Sequence, residues 1–167
     1  MKKVVSLTRR AIEQYNMIED GDKIAVGVSG GKDSLVLLNV LAELSRYYPK
    51  KFTVMGLTLD MGYDADYSKV QKMCDDLGVE YKVKKTNIKE IIFDIRKESN
   101  PCSLCAKMRR GALNDMAIEN GCNKVALGHH NDDVLETFFL SLMHEAEYIV
   151  FRLLHISTAL ICIKSDL

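Results

Sequence analysis

The chain has 167 residues, sets 23 Lys and Arg against 23 Asp and Glu, and is 47% hydrophobic. That length suits one domain with a sizeable core, and the even charge excludes a global field for polyanions, so any nucleic-acid partner needs a local basic patch. Five cysteines, an odd number at uneven spacing, argue against a disulfide framework and for a reducing compartment, the cytoplasm.

The first residues carry Lys2, Lys3, Arg9 and Arg10 but no long apolar core with a cleavage site, so they do not read as a secretory signal. Val4, Val5, Ile12, Tyr15 and Ile18 predict an amphipathic opening helix that ends near Gly21. Lys23 to Val28 is a first buried strand, and Asp33 to Arg46 the first helix behind it. Phe52 to Leu59 reads as a second strand ending at Asp60, Asp66 to Leu77 as a helix stopped by Gly78, and Val79 to Thr86 as a third strand. Ile88 to Arg96 is a short helix before the Asn100-Pro101 break. Ser103 to Asn120 is a long helix closed by Gly121, Lys124 to Gly128 a fourth strand, and Asn131 to Glu145 a further helix. This alternation predicts an α/β fold, a doubly wound, Rossmann-like parallel sheet with helices on both faces and its ligand beyond the carboxyl ends of the strands. Ser29 to Ser34, Asp60, and His129 to Asp133 all fall at such ends.

Ser29-Gly30-Gly31-Lys32-Asp33-Ser34 joins the first strand to the first helix. Amide groups at such a turn point at whatever sits above it and attract anions, phosphate above all. Lys32 adds a cation, Ser29 and Ser34 hydroxyls, and Asp33 a carboxylate for a divalent metal. Neither G-x-x-x-x-G-K-[ST] nor G-x-G-x-x-G is present here. A glycine turn without a ligand is the bland alternative.

Gly128-His129-His130-Asn131-Asp132-Asp133 marks a second junction, with Glu136 one turn beyond Asp132. Capping would account for either acid alone, but two adjacent carboxylates facing a pyrophosphate site suit Mg²⁺. Asp60 would close the nucleotide pocket, unless it is a solvated loop residue. Cys102-Ser103-Leu104-Cys105 opens the long helix, where residues three apart share a face. With Arg109, Ala112, Leu113 and Met116 they form a stripe predicted to point at the sheet, while Lys107 and Arg110 turn away. A C-x-x-C pair is open to three readings: a redox couple, half a metal site, or two buried small residues. Cys74 and Cys122 read as buried small residues.

Ser29 to Ser34 resembles the S-G-G-x-D-S signature of the PP-loop ATPases, which cleave ATP to AMP and pyrophosphate. Together with Cys102-Ser-Leu-Cys105-Ala-Lys-Met-Arg-Arg-Gly111 and Leu127-Gly-His-His-Asn-Asp-Asp-Val-Leu-Glu-Thr137, it is similar to the tRNA 2-thiocytidine branch of that family, over roughly Met1 to Ala146. The resemblance implies a tRNA sulfurtransferase that adenylates a carbonyl oxygen of an anticodon-loop cytidine, after which sulfur displaces AMP. Carried over by position, Ser29, Gly30, Gly31, Lys32, Asp33 and Ser34 would cradle the ATP phosphates, with Asp60, Gly128 and His129 completing the nucleotide site. Asp132 and Asp133 would be Mg²⁺ ligands or catalytic acids, and Arg109 would face the nucleotide or the activated base. Cys102 and Cys105 would hold a [4Fe-4S] cluster. Implied partners are tRNA and a sulfur donor, either a persulfide carrier or sulfide. A PP-loop ligase of another class, such as lysidine synthetase, is opposed by the C-x-x-C block.

Residues 1–146 are thus expected to form the PP-loop domain and residues 147–167 an atypical apolar tail, in which Arg152, His155 and Lys164 interrupt any membrane span. The tail lacks the expected setting for a third cluster cysteine around Cys162, and Tyr148 to Phe151 or Thr158 to Ile163 would supply a fifth strand. A truncation or frameshift after about Ala146 is the expected origin of this end. The alternative function is then a nucleotide-binding protein that holds ATP, forms a homodimer through the tail, and does not thiolate tRNA.

Overall fold

Ile24, Ala25 and Val26 are all fully buried, so the strand that carries them must be covered on both faces. The computed structural model describes residues 2–62, 65–90, 101–129 and 162–164. In chain order the elements are α1 (Lys2–Gln14), β1 (Lys23–Gly27), α2 (Lys32–Tyr47), β2 (Thr53–Asp60), α3 (Ser68–Leu77), β3 (Glu80–Lys85), α4 (Ile88–Glu90), α5 (Pro101–Glu119), β4 (Lys124–Leu127) and β5 (Cys162–Lys164). Of the helix predicted over Ile88 to Arg96 only α4 is described, and Asn131 to Glu145 and Tyr148 to Phe151 lie outside the described residues.

The sheet order is β3-β2-β1-β4-β5. The first four strands run parallel, with Gly27 beside both Leu57 and Leu127. β5, which overlaps the Thr158 to Ile163 candidate for a fifth strand, lies antiparallel on β4, with Cys162 opposite Leu127. An antiparallel edge needs no crossover helix, and such edges on otherwise parallel sheets are common.

Side chains alternate across the sheet as strand geometry requires. Ile24, Val26 and Val28 face a core shared with Val5 and Ile12 of α1 and Leu37, Leu38 and Leu41 of α2. Ala25, Met55, Leu57 and Val125 face the opposite way, onto Leu113, Met116 and Ala117 of α5. Cys74 is buried in the first core and Cys122 in the second, as expected of small apolar residues.

α1 stops earlier than its apolar pattern suggests. Asn16 adopts φ 48°, and the Met17 amide reaches back to the Ile12 carbonyl at 3.1 Å, closing the helix as glycine usually does. Asparagine tolerates this left-handed conformation, so the stop was present in the sequence without a glycine to announce it. α3 ends where its glycine says it should, with Gly78 at φ 68°.

The amino ends of the strands are tied by a buried ion pair. Lys124 Nζ lies 2.7 Å from Asp22 Oδ2 and also donates to the Met17 carbonyl at 2.8 Å. Asp22 accepts further bonds from the Glu19 amide at 2.6 Å and from Asn123 Nδ2 at 2.7 Å. Burial pushes the Asp22 carboxyl up, but the bonds from Lys124, Glu19 and Asn123 and the lysine charge outweigh it, and its pKa falls below the ordinary value.

Two outcomes are expected. Asp22→Ala strands a buried ammonium and should lower stability by about 3 kcal/mol, read from the urea midpoint. Because the folded pKa is the lower one, the pair stabilises fully above about pH 4 and its contribution is lost as acid carries the carboxyl through its folded value. Between pH 7 and pH 3 the wild-type midpoint should therefore fall more steeply than that of Asp22→Asn.

Candidate nucleotide site

The sheet order reverses direction at β1. The chain proceeds from β1 outward to β2 and β3, then returns to lay β4 on the other side of β1. Open sheets bind ligands beyond the carboxyl ends at such a switch point, and here that position falls between the residues that follow β1 and those that follow β4.

After β1 the chain makes a tight loop into α2. Gly30 has φ 82°, a conformation a side chain would strain, and Gly31 is the N-cap of α2 without any side-chain cap. The first amides of a helix have no acceptor within it, so this end of α2 presents donors and the positive end of its dipole. Ser29, Gly30, Gly31 and Lys32 are exposed, Asp33 is half-buried and Ser34 is buried.

Proton counting fixes the directions of the bonds that shape the loop. Ser34 Oγ donates its one hydrogen to the Gly31 carbonyl at 2.9 Å. It must then accept from both the Ser29 amide at 3.2 Å and the Ser29 hydroxyl at 3.3 Å. Ser29 Oγ in turn accepts from the Gly31 amide at 3.4 Å. The Ser34 hydroxyl, assigned from sequence to a phosphate, here braces the loop from inside.

Gly128 brings the end of β4 against this loop. A Cβ there would lie 3.0 Å from both the Asp33 carbonyl carbon and the Ser34 amide nitrogen, backbone atoms that cannot swing aside. His129, the next residue, is exposed. His130, Asp132, Asp133 and Glu136 lie outside the described residues.

Asp60 ends β2 at the same edge, one strand over from β1. It is buried, not solvated: its Oδ1 accepts from the Gly62 amide at 2.9 Å. Its carbonyl accepts from the Thr86 amide at 2.7 Å and the Thr86 hydroxyl at 3.1 Å, tying the ends of β2 and β3 together.

α5 crosses the other face of the sheet in the opposite sense to the strands. Its Leu113 Cδ2 lies 3.0 Å from where a Gly27 Cβ would sit, at the carboxyl end of β1. Just past its last residue, the Asn120 carbonyl accepts from Lys23 Nζ at 2.9 Å, at the amino end of that strand. Arg109 and Cys105 are therefore about 6 and 12 Å further along the helix than Leu113, past the end of β1. This corrects the inward stripe expected from spacing. Leu113, Met116 and Ala117 press on the sheet, whereas Arg109 is exposed and Cys105 half-buried. The pattern failed there because the helix runs on past the end of β1.

The thiols divide by environment. Burial, and secondarily the Asp75 charge, pushes Cys74 up to about 11, and burial also raises Cys122, whose Sγ lies 3.2 Å from Met55 Sδ. Both are poor thiolates and poor metal ligands. Cys102 and Cys105 occupy the first turns of α5, three residues apart, at the overhanging end. Register places Cys162 at the same carboxyl edge, opposite Leu127, a setting that its sequence context did not suggest. Among the described residues no group of three or more His, Cys, Asp or Glu converges on one point.

Sequence reasoning missed Thr58 and Tyr81. Tyr81 donates to Thr58 Oγ1 at 2.8 Å, and Thr58 Oγ1 donates to the Val28 carbonyl at 2.8 Å, just before Ser29. The only sequence signal was a threonine within an otherwise apolar strand.

A glycine loop at a helix N-terminus, set at the switch point of a doubly wound sheet, is the arrangement of a phosphate-binding α/β domain. A family model described as the PP-loop domain matches residues 4–154, and the chain belongs to that family. It is similar to the tRNA-cytidine(32) 2-sulfurtransferase of Geotalea daltonii, 42% identical over 142 residues that cover 84% of this chain and 56% of the relative. It is also similar to the protein of the same name from Aliivibrio fischeri, 43% identical over 147 residues, covering 86% and 47%. The chain spans about half the length of these curated relatives. Among solved structures it resembles the U34-tRNA thiolase NcsA of Methanococcus maripaludis with its [4Fe-4S] cluster, at TM-score 0.71 and 28% identity over 87% of this chain and 51% of that one. The NH3-dependent NAD synthetase of Campylobacter jejuni shares the fold, with TM-score 0.54 and 20% identity over 80% and 58%.

Gly128→Ala puts a methyl group against immovable backbone. It should cost about 1–3 kcal/mol of stability and weaken nucleotide binding at least tenfold, whereas Gly31→Ala, whose Cβ meets only Ser29 Oγ at 3.4 Å, should do neither. Thermal melts and titration calorimetry of the two variants check this.

Proposed function

We propose that this chain carries out ATP-dependent 2-thiolation of an anticodon-loop cytidine in tRNA. The observation that supports the reading is the glycine loop at the amino end of α2, packed against Gly128 at the end of β4. Similarity to proteins named tRNA-cytidine(32) 2-sulfurtransferase supports the choice of base.

In this mechanism the amides of the loop and Lys32 hold the β- and γ-phosphates of ATP and take up charge on the departing pyrophosphate. The cytidine carbonyl oxygen attacks the α-phosphorus and the bond to pyrophosphate breaks, leaving an adenylated base. Sulfur then bonds to the activated carbon and the carbon–oxygen bond breaks, releasing AMP. Asp132 and Asp133 would hold Mg²⁺, which would offset phosphate charge, Asp60, Gly128 and His129 would bound the nucleotide, and Arg109 would steady the adenylate. Cys102 and Cys105 are the residues for a [4Fe-4S] cluster, which would supply an iron site for the incoming sulfur. Sulfide supplies the sulfur directly; from a persulfide carrier the attack leaves a disulfide between base and carrier, whose sulfur–sulfur bond an external thiol must reduce to free the thiolated base, and the reaction runs in the cytoplasm.

Radiolabelled ATP incubated anaerobically with Mg²⁺, iron-reconstituted protein and bulk tRNA should yield AMP only when tRNA is present. ATP that is bound but never cleaved would contradict thiolation and leave a nucleotide-binding protein, and ADP as product would contradict the PP-loop chemistry itself. Reconstituted protein should also show a broad visible absorption that Cys102→Ser or Cys105→Ser abolishes. Cys74→Ser and Cys122→Ser should keep it, since both of those thiols are buried and hard to ionise.

A further inference from the structure

The β1–β2 ladder ends with Gly27 beside Leu57, one residue before the chain must turn into the glycine loop. What holds Val28, the last residue before Ser29, is partly a side chain. Its amide donates to the Leu57 carbonyl at 2.8 Å, and its carbonyl accepts from the Thr58 hydroxyl at 2.8 Å. A threonine hydroxyl has one hydrogen, spent here on a carbonyl that can only accept, so Tyr81 must be the donor in the 2.8 Å contact with Thr58. Both side chains are buried, at 4% exposure for Thr58 and 9% for Tyr81. Burial raises the Tyr81 phenol, against the opposing effect of its bond to Thr58, which keeps the donor protonated at neutral pH.

Gly56 makes this reach possible. It stands beside Tyr81 in the β2–β3 register, and a Cβ on it would meet the Tyr81 ring at 3.0 Å. With no side chain there, the ring lies across β2 and delivers its hydroxyl two residues further along that strand. Three residues on two strands thus converge on one carbonyl.

We propose that Tyr81 and Thr58 are positioning residues for the glycine loop: their hydroxyl chain fixes the Val28 carbonyl and, through it, the direction in which the backbone enters Ser29. The inference rests on the reading of that loop as the ATP site. A loop that binds through backbone amides is sensitive to small reorientations, because displacement of the donors weakens every bond to the phosphates together.

The test is calorimetric titration of Mg·ATP into the full chain and into Thr58→Val, Thr58→Ser, Tyr81→Phe and Gly56→Ala, with a thermal melt of each. Thr58→Val should weaken ATP about tenfold, the scale expected for one buried hydrogen bond, and Thr58→Ser should restore affinity to within about twofold. Tyr81→Phe and Gly56→Ala should fall between, although neither touches the carbonyl. Lower melting temperatures with wild-type ATP affinity in all four would overturn the proposal, since a purely structural tie moves stability alone. If Thr58→Val does not fold, Tyr81→Phe keeps the ring and decides by the same criterion. A folded wild-type chain that binds no ATP would overturn the nucleotide-site reading itself, and this inference with it.

Discussion

At the carboxyl edge of the sheet, the end of β4 meets the first turn of α2 with no side chain between them. That contact, made by Gly128 against the Asp33 and Ser34 backbone, is the constraint on which the rest of the site depends. It requires β4 beside β1, which only the reversal in strand order allows. It also requires the loop from Ser29 to Ser34 to be held in one shape, which the Ser29–Ser34 bonds do from within and Thr58 does from beneath. The two sides of the crevice are thereby locked together before any ligand contributes.

The same edge gathers the chemistry from both faces of the sheet. α2, on one face, aims its amino end at the crevice. α5, on the other, runs past the end of β1 and carries Cys102, Cys105 and Arg109 on its first turns. The opposite edge has another task. There the Asp22–Lys124 pair and its hydrogen bonds join the amino ends of β1 and β4, where apolar residues give out and two backbone turns must be closed. Burying that pair is tolerable because the carboxylate has a full set of donors.

Much of this was legible in the sequence because each signal was local. Alternating strand and helix patterns, Gly78 as a helix stop and the glycine loop between Val28 and Leu35 each announce themselves within a few residues. Features made by residues far apart were not legible. Asp22 finds Lys124, and Tyr81 finds Thr58, only once strand order is set, and neither pairing leaves a periodic trace. The stripe on α5 misled for a related reason. Spacing says which residues share a helix face, but not where the sheet beneath that face ends, so Arg109 was placed inward and is exposed. Asn16 ended α1 in a conformation more often given to glycine, and β5 returned antiparallel, a direction that a short apolar run does not encode.

The central claim is that the amides between Ser29 and Leu35 form a phosphate cradle. The most direct measurement is an amide nitrogen–proton NMR titration of the full chain with pyrophosphate, followed by competition with Mg·ATP. The account expects saturable shifts at Gly30, Gly31, Lys32 and Gly128, reversed as ATP displaces pyrophosphate, with Asp22 and Asn123 at the far edge unmoved. Shifts confined to the far edge, or an unchanged spectrum at saturating pyrophosphate, would contradict it.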